Sequence, residues 1–395
     1  MNGEISQAFT VSFDYPVLFT ERVFAPENET LVNALGRLHE NRVHRALAIL
    51  DANAATPALR GDLFSYFATH AARVELAAPP LLLPGGEGIK NDPAFIRQML
   101  SSMVQARLCR HSFVIAVGGG ALLDAAGFAA ALFHRGVRLV RLPTTVLGQN
   151  DAGIGVKNGV NFEGIKNAVG VFSPPFAVIN DERFLLTLPD REWISGIAEA
   201  FKVAIIRDRI FFDFLAGHAG ALRGRDAAAM RFLVRRCAEV HLEHARTGDP
   251  FETSRARPLD FGHWAAHKLE TMSGFSILHG EAVAAGLLLD CSYAVTQGWL
   301  APGEFRSIHR AIAGSGLPVW FDLLTRRKLG KLEVFDGLED FREHLGGELC
   351  VTFPRGIGSR LETGKIDLEA MEEALRQLFL ESGRAISPAS GRDQR

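Results

Sequence analysis

The sequence predicts an α/β, Rossmann-like N-terminal domain over residues 1–188 and an all-α C-terminal domain over residues 189–395. Three observations predict this. The chain has 395 residues, and at roughly 150 residues per domain two domains are expected. Up to residue 185, short β-branched runs alternate with helical stretches, the pattern of a parallel sheet with crossover helices. From residue 191 onward, long stretches of helical periodicity are broken by Gly- and Pro-rich loops.

Strands are expected at 45–50 (RALAIL), 113–117 (FVIAV), 137–142 (VRLVRL) and 177–180. An apolar, Ala-rich helix at 121–133 separates the second from the third, so this region reads as a βαβ unit with glycines at its strand-to-helix turn. In the second half, helices are expected at 192–206, 227–244, 259–272 and 280–296, with loops at 217–226, 247–258 and 314–318. Residues 348–367 carry glycines at 356, 358 and 364 and read as a hairpin or loop before a last helix at 368–380. The small, polar tail from 382 reads as frayed.

Composition narrows the function. The chain is 47% hydrophobic and 22% charged, which is ample for a sizeable core. Its 43 basic and 45 acidic residues give a net charge of -2 without blocks of one sign, so neither nucleic acid nor a membrane surface is an expected partner. The four cysteines are widely spaced, with no CxxC pair, and no basic stretch followed by an apolar run opens the chain. A reduced, cytoplasmic protein is expected.

Gly118, Gly119 and Gly120 lie between a buried strand and a helix, where backbone amides and the helix N-terminus can approach a pyrophosphate. The spacing is not GxGxxG, and ordinary turn chemistry explains the triplet equally well. Asp51 and Asn53 follow the first strand, where an acidic group can hold a ribose hydroxyl, and Glu87 and Lys90 lie in a polar loop. His263 and His267 are four apart, on one helix face, and His279 opens a long apolar helix. With Glu199, in another apolar helix, they form a candidate metal set; satisfied core histidines and a solvated glutamate are the alternative. Lys157, Lys166 and Asn167, in a Gly-rich stretch after a strand, suit a phosphate or a polyhydroxylated ligand, or else form an exposed loop.

In this order the pieces resemble the 3-dehydroquinate synthase family of sugar-phosphate cyclases. GGGxxxDxxGF starts at Gly118 and holds Asp124; PTTxLxQxD runs from Pro143 to Asp151; GxKxxxN is Gly155, Lys157 and Asn161. GxAExxK runs from Gly196 to Lys202, FGHxxxH from Phe261 to His267, and HGEAVxxG from His279 to Gly286. The resemblance implies a cofactor, NAD, at Asp51, Asn53, Glu87, Lys90, Gly119, Gly120, Asp124, Thr144, Thr145, Thr187 and Leu188. It implies a divalent metal, zinc or cobalt, on Glu199, His263 and His279. Substrate-handling residues are implied at Asp151, Lys157, Lys166, Asn167, Lys202, Asp260 and His267. Arg135 matches an arginine that reaches the neighbouring subunit's phosphate site, which implies a homodimer. The implied reaction is transient oxidation by NAD, phosphate elimination, reduction and intramolecular aldol closure of a seven-carbon sugar phosphate.

The chain departs from the quinate-forming pattern in informative places. Asp260 stands where those members have Asn, and their two carboxylate-binding cations align near Leu242 and Ala256. Arg255 and Arg257 flank the second position, and His241 or His244 can stand in near the first. The family's C-terminal lysine pair is replaced by residues 353–358 (FPRGIG). Asp at 260 resembles the cyclases that turn sedoheptulose 7-phosphate into valiolone-type cyclitols, although those usually lack the histidine present here as His267. The expected substrate therefore leans to sedoheptulose 7-phosphate over the keto-acid phosphate. A metal-dependent polyol dehydrogenase of the glycerol type and a non-catalytic sugar-phosphate binder are the rival readings.

Overall fold

A computed structural model describes residues 4–247, 249–251 and 256–383, arranged in two compact units. The first comprises Met1–Thr144 and Gly155–Phe184; the second comprises Thr145–Ile154 and Leu185–Arg395.

The first unit is built on strands β1 (Val17–Thr20), β2 (His44–Asp51), β3 (Val74–Leu76), β4 (Leu81–Leu83), β5 (Phe113–Gly118), β6 (Arg138–Pro143) and β9 (Ala177–Asp181). They form one sheet in the order β1-β9-β6-β5-β2-β3, with β4 also paired to β2, and every pairing is parallel. β2 and β5 have apolar residues pointing both ways. Ala46, Ala48, Leu50, Phe113, Ile115 and Val117 join one core, and Leu47, Ile49, Val114 and Ala116 join another on the opposite face. A parallel strand covered by helices on both sides needs this continuous apolar run. The connecting helices are α1 (Thr30–Leu35), α2 (Pro57–Thr69), α3 (Pro93–Gln105) and α4 (Gly120–Leu132). Thr56 and Asp92 cap α2 and α3 by accepting from Leu59 and Ala94 amides, each followed by proline at the first helical position.

From β2 the chain first adds strands on one side and then, with β5 and β6, on the other. The ends of β2 and β5 therefore flank a topological switch point, where open α/β sheets bind ligands. Residues 155–161 and 165–167, expected as a Gly-rich loop, instead belong to a separate antiparallel hairpin of β7 (Lys157–Phe162) and β8 (Ile165–Phe172), bulged between Val160 and Phe162. The loop reading missed the alternation of Asn158, Val160 and Ile165, Val169 around its turn.

The second unit is helical: α5 (Asp190–Ser195), α6 (Ile197–Arg207), α7 (Arg209–Arg223), α8 (Ala227–Thr247), α9 (His263–Met272), α10 (His279–Thr296), α11 (Pro302–Gly314), α12 (Asp336–His344) and α13 (Leu368–Glu381). Two small hairpins accompany them, β10 (Arg327–Lys328) with β11 (Lys331–Leu332) and β12 (Val351–Pro354) with β13 (Arg360–Thr363). The second lies where glycines suggested one. Val146, from the segment 145–154, is part of this unit's core.

Three further expectations need correction. The helix expected at 192–206 is two helices, because the Gly196 carbonyl accepts from Asn150 Nδ2 at 2.8 Å and a Cβ at Gly196 would sit 2.4 Å from Val146 Cβ. The loop expected at 217–226 is largely the end of α7, carried by buried Phe211, Phe212, Leu215, Ala219 and Leu222. Gly217 and Gly220 face open space, and such glycines cost only about 1 kcal/mol each. The helix expected from 259 begins at His263, after a short 3₁₀ turn at Pro258–Asp260. Arg255 and the tail from 384 lie outside the described residues. No helix among the described residues is long and apolar enough to cross a membrane.

Candidate active site

In the first unit, Asp51 closes β2 and accepts the Asn53 amide at 2.9 Å. Burial pushes its carboxyl up, against the amides of Asn53, Gly119 and Ala54. Gly85 and Gly118 crowd it: a Cβ at Gly85 would sit 2.3 Å from Asp51 Oδ2, and one at Gly118 would sit 3.0 Å from Asp51 Cβ. Gly119 caps α4 and Gly120 is its first residue. The strand ends thus bring Asp51 to a side-chain-free helix N-terminus, which suits a dinucleotide. Asn53 is exposed, and the Thr144 amide donates to the Gly118 carbonyl at 3.0 Å.

Lys90, 3% exposed, joins the candidate dinucleotide residues to the hairpin. Its Nζ lies 2.9 Å from Asp124 Oδ2 and 3.7 Å from Glu87 Oε1, and it also donates to Asn167 Oδ1. Asn161 Nδ2 reaches Glu87 Oε1 at 3.1 Å, while Asn161 Oδ1 accepts the Asn167 amide at 2.8 Å. Asn161 was visible only as the last letter of GxKxxxN. Lys157 is exposed and Lys166 half-buried. Buried Arg141 donates to the carbonyls of Gly155 and Lys157 at 2.7 and 3.1 Å, fastening the hairpin's base. Arg135 is exposed, in a turn after α4.

In the second unit, α6, α9 and α10 bring Glu199, His263 and His279 together, their ligand atoms all within 4.8 Å of one another. Glu199 Oε1 lies 3.5 Å from His263 Nε2 and 3.4 Å from His279 Nε2. His263 Nδ1 is 3.0 Å from the Phe261 carbonyl, and His279 Nδ1 is 3.0 Å from Glu270 Oε2. Facing acceptors, both Nδ1 atoms carry the proton, and the Nε2 lone pairs are left directed at a carboxylate. Glu199 is fully buried, and neither of its oxygens has a well-aligned hydrogen bond. A carboxylate oxygen and two imidazole nitrogens converging in this way suit a cation. The spacing suits one, because ligands about 2.1 Å from a tetrahedral ion stand roughly 3.4 Å apart. The residues present therefore fit a divalent metal. Glu270 was missed by sequence reading, although its place one turn after His267, beside the histidine cluster, was a signal.

His267 adds a third ring, its centroid 5.4 Å from that of His263 and 5.8 Å from that of His279. Beside the cluster runs a buried charge chain. Lys202 Nζ is 2.5 Å from Glu199 Oε2 and 3.0 Å from Asp151 Oδ2, and His241 Nε2 is 3.3 Å from Asp151 Oδ1. Burial raises the Asp151 carboxyl, but His241 and Lys202 outweigh it and hold it well below the usual carboxylate range. Burial likewise raises Glu199, and Lys202 and His263 outweigh it. Desolvation pulls Lys202 down, yet the two carboxylates keep it above an ordinary lysine. Asp260 is half-buried in the 3₁₀ turn before α9; Thr145, whose Oγ1 accepts from the Gly148 amide, Thr187 and Leu188 also belong to this unit.

Gly280 seats His279. A Cβ there would sit 1.9 Å from the Ser195 carbonyl oxygen, and backbone cannot swing aside. Gly280→Ala is expected to destabilise the protein by about 1–3 kcal/mol and to weaken metal binding, measured by urea unfolding and metal titration.

The model of the 3-dehydroquinate synthase N-terminal domain matches residues 80–195, and that of its C-terminal domain matches residues 196–335. A 3-dehydroquinate synthase of Halorhodospira halophila is 36% identical over 279 residues, covering 70% of this chain and 77% of that protein. The structure of ValA, a 2-epi-5-epi-valiolone synthase of Streptomyces hygroscopicus with NAD+ and Zn2+ bound, is 31% identical with a TM-score of 0.85, covering 96% of this chain and 99% of that one. A 2-deoxy-scyllo-inosose synthase complexed with carbaglucose-6-phosphate, NAD+ and Co2+ shares the fold at 20% identity and a TM-score of 0.74, covering 91% and 96% of the two chains. The expected fold class stands, and the chain belongs to the 3-dehydroquinate synthase family of sugar-phosphate cyclases.

Proposed function

We propose that this protein is an NAD- and divalent-metal-dependent cyclase that eliminates phosphate from a seven-carbon sugar phosphate, with sedoheptulose 7-phosphate as substrate. The observation that carries the reading is the convergence of Glu199, His263 and His279 beside the buried Lys202–Asp151 pair. When bound, the metal acidifies a substrate hydroxyl and NAD takes up and returns a hydride. Lys202 and Asp151 orient the hydroxyls, and His267 relays a proton at the phosphate-bearing end. Lys157, Lys166 and Asn167 bind the departing phosphate, as a lysine-rich hairpin suits. Asp51 and the Gly119–Gly120 turn hold the dinucleotide, with Glu87, Lys90 and Asp124 next to it. Arg135 completes the phosphate pocket of a second copy in a homodimer.

The substrate follows from charge. A carboxylate needs a fixed cation, and a charge-assisted hydrogen bond contributes roughly 1.5–3 kcal/mol, about ten- to a hundredfold in affinity. Leu242 and Ala256 carry no charge, and His241 is turned to Asp151. Asp260 would repel a carboxylate but accept a hydrogen bond from a hydroxymethyl group. A second reading, the keto-acid phosphate, is favoured by the 36% identity to a 3-dehydroquinate synthase and by His267.

Both sugar phosphates should be compared by phosphate release on wild type and Asp260→Asn. The expected result is ten- to a hundredfold preference for the heptulose phosphate, narrowed in the variant, with NAD required and no stoichiometric NADH formed. Efficient turnover of the keto-acid phosphate alone would assign the second reading. NADH accumulation with a phosphate-free polyol, without phosphate release, would make the protein a polyol dehydrogenase.

A further inference from the structure

α10 bears His279 at its first residue and Asp290 three turns further on. Asp290 is fully buried in one of the most apolar helices of the chain, where a carboxyl group is costly unless it is hydrogen-bonded. Its two oxygens are both engaged by the head of α9: Oδ2 accepts the Gly262 amide and Oδ1 accepts Trp264 Nε1, each at 2.9 Å. These two donors flank His263, the first residue of α9.

The surrounding backbone explains why such a clamp is needed. Gly262 has φ +78°, a left-handed conformation that breaks the chain sharply before the helix begins. There α9 and α10 meet almost backbone to backbone. A Cβ at Gly286 would sit 2.1 Å from the Gly262 carbonyl oxygen, and one at Gly262 would sit 2.8 Å from the Leu287 amide. Asp290 lies one turn beyond Gly286, on the same face. The turn thus has little side chain of its own to fix it. Its orientation decides where the Phe261 carbonyl meets His263 Nδ1 and where His263 Nε2 points.

We infer that Asp290, with Trp264 as its partner, is a positioning residue that locks His263 into ligand geometry relative to His279. The role rests on the metal site proposed above and adds two residues that touch neither metal nor substrate. One helix thereby supplies one ligand directly and sets the angle of another through a buried carboxylate.

The test uses Co2+ alone as probe, added to metal-free protein, reading its visible absorption spectrum and dissociation constant. Wild type is expected to bind one Co2+ per chain. Asp290→Asn puts an amide N–H against one of the two donors, and should weaken Co2+ binding about 10–100-fold and alter the spectrum. Trp264→Phe removes only the indole donor and should weaken binding less. Combining the two substitutions lets the Asn oxygen face the Gly262 amide unopposed, and should recover part of the affinity lost in Asp290→Asn. A merely structural role would lower thermal stability in Asp290→Asn and leave Co2+ affinity and spectrum unchanged; that result would overturn the proposal. Failure of wild type itself to bind Co2+ would overturn the metal site and this role with it.

Discussion

Replacing His263 or His279 with alanine should remove bound metal and lower turnover by at least about a thousandfold, the equivalent of roughly 4 kcal/mol of transition-state stabilisation. The size of the effect comes from the geometry. Each histidine is held at Nδ1 by its own acceptor, so each would present Nε2 to a bound cation. Glu199→Gln keeps the shape of the third ligand and removes its charge, and should loosen the metal while leaving the fold intact. Glu270→Gln is expected to loosen it less, since it changes only the acceptor that orients His279. Elemental analysis of the purified variants, alongside phosphate release, measures all four. Unchanged metal content in His263→Ala and His279→Ala would overturn the ligand assignment.

The sequence showed some of these groups plainly and hid others, for physical reasons. The β2 and β5 strands were legible because their centres are buried on both faces and are continuously apolar, and β6 and β9 because short apolar runs remain between their polar residues. The expected bounds fall within one or two residues of those observed. His263 and His267 were legible as neighbours because helical spacing alone places them on one face. Lys202–Asp151 and His241–Asp151 were not, since the partners are 51 and 90 residues apart and nothing local records the pairing. In the sequence Asp290 is a lone charge in an apolar segment; its reason lies on α9, across a helix contact that two glycines make possible. The break at Gly196 was hidden in the same way, because the Asn150 side chain that takes its carbonyl comes from another part of the chain.

Lys202→Met should destabilise metal-free protein by about 3–5 kcal/mol, because it leaves two buried carboxylates without the cation they share. In the wild type, Asp151 and Glu199 are both held below the ordinary carboxylate range, with Lys202 contributing to each. Groups with depressed values in the folded state bind fewer protons there than when unfolded. Their contribution is thus present above the unfolded value, about 4, and is lost as pH falls through the folded values. Without Lys202, Glu199 loses the largest of the charges that offset its desolvation, and its carboxyl rises from the wild-type value. That rise removes stability at neutral pH, where the carboxyl is ionised in the unfolded chain, and removes little at low pH, where it is protonated there. The variant should therefore lose most against wild type near pH 7 and least near pH 4. Added Co2+ should restore part of the loss by replacing the missing positive charge at Glu199, while Asp151 keeps only His241. Lys202→Arg, which retains a cation, should lie between the two. Urea unfolding at both pH values, with and without metal, measures the effect. An equal loss at pH 4 and pH 7 would mean that Lys202 acts through packing alone and not through the charges on either side of it.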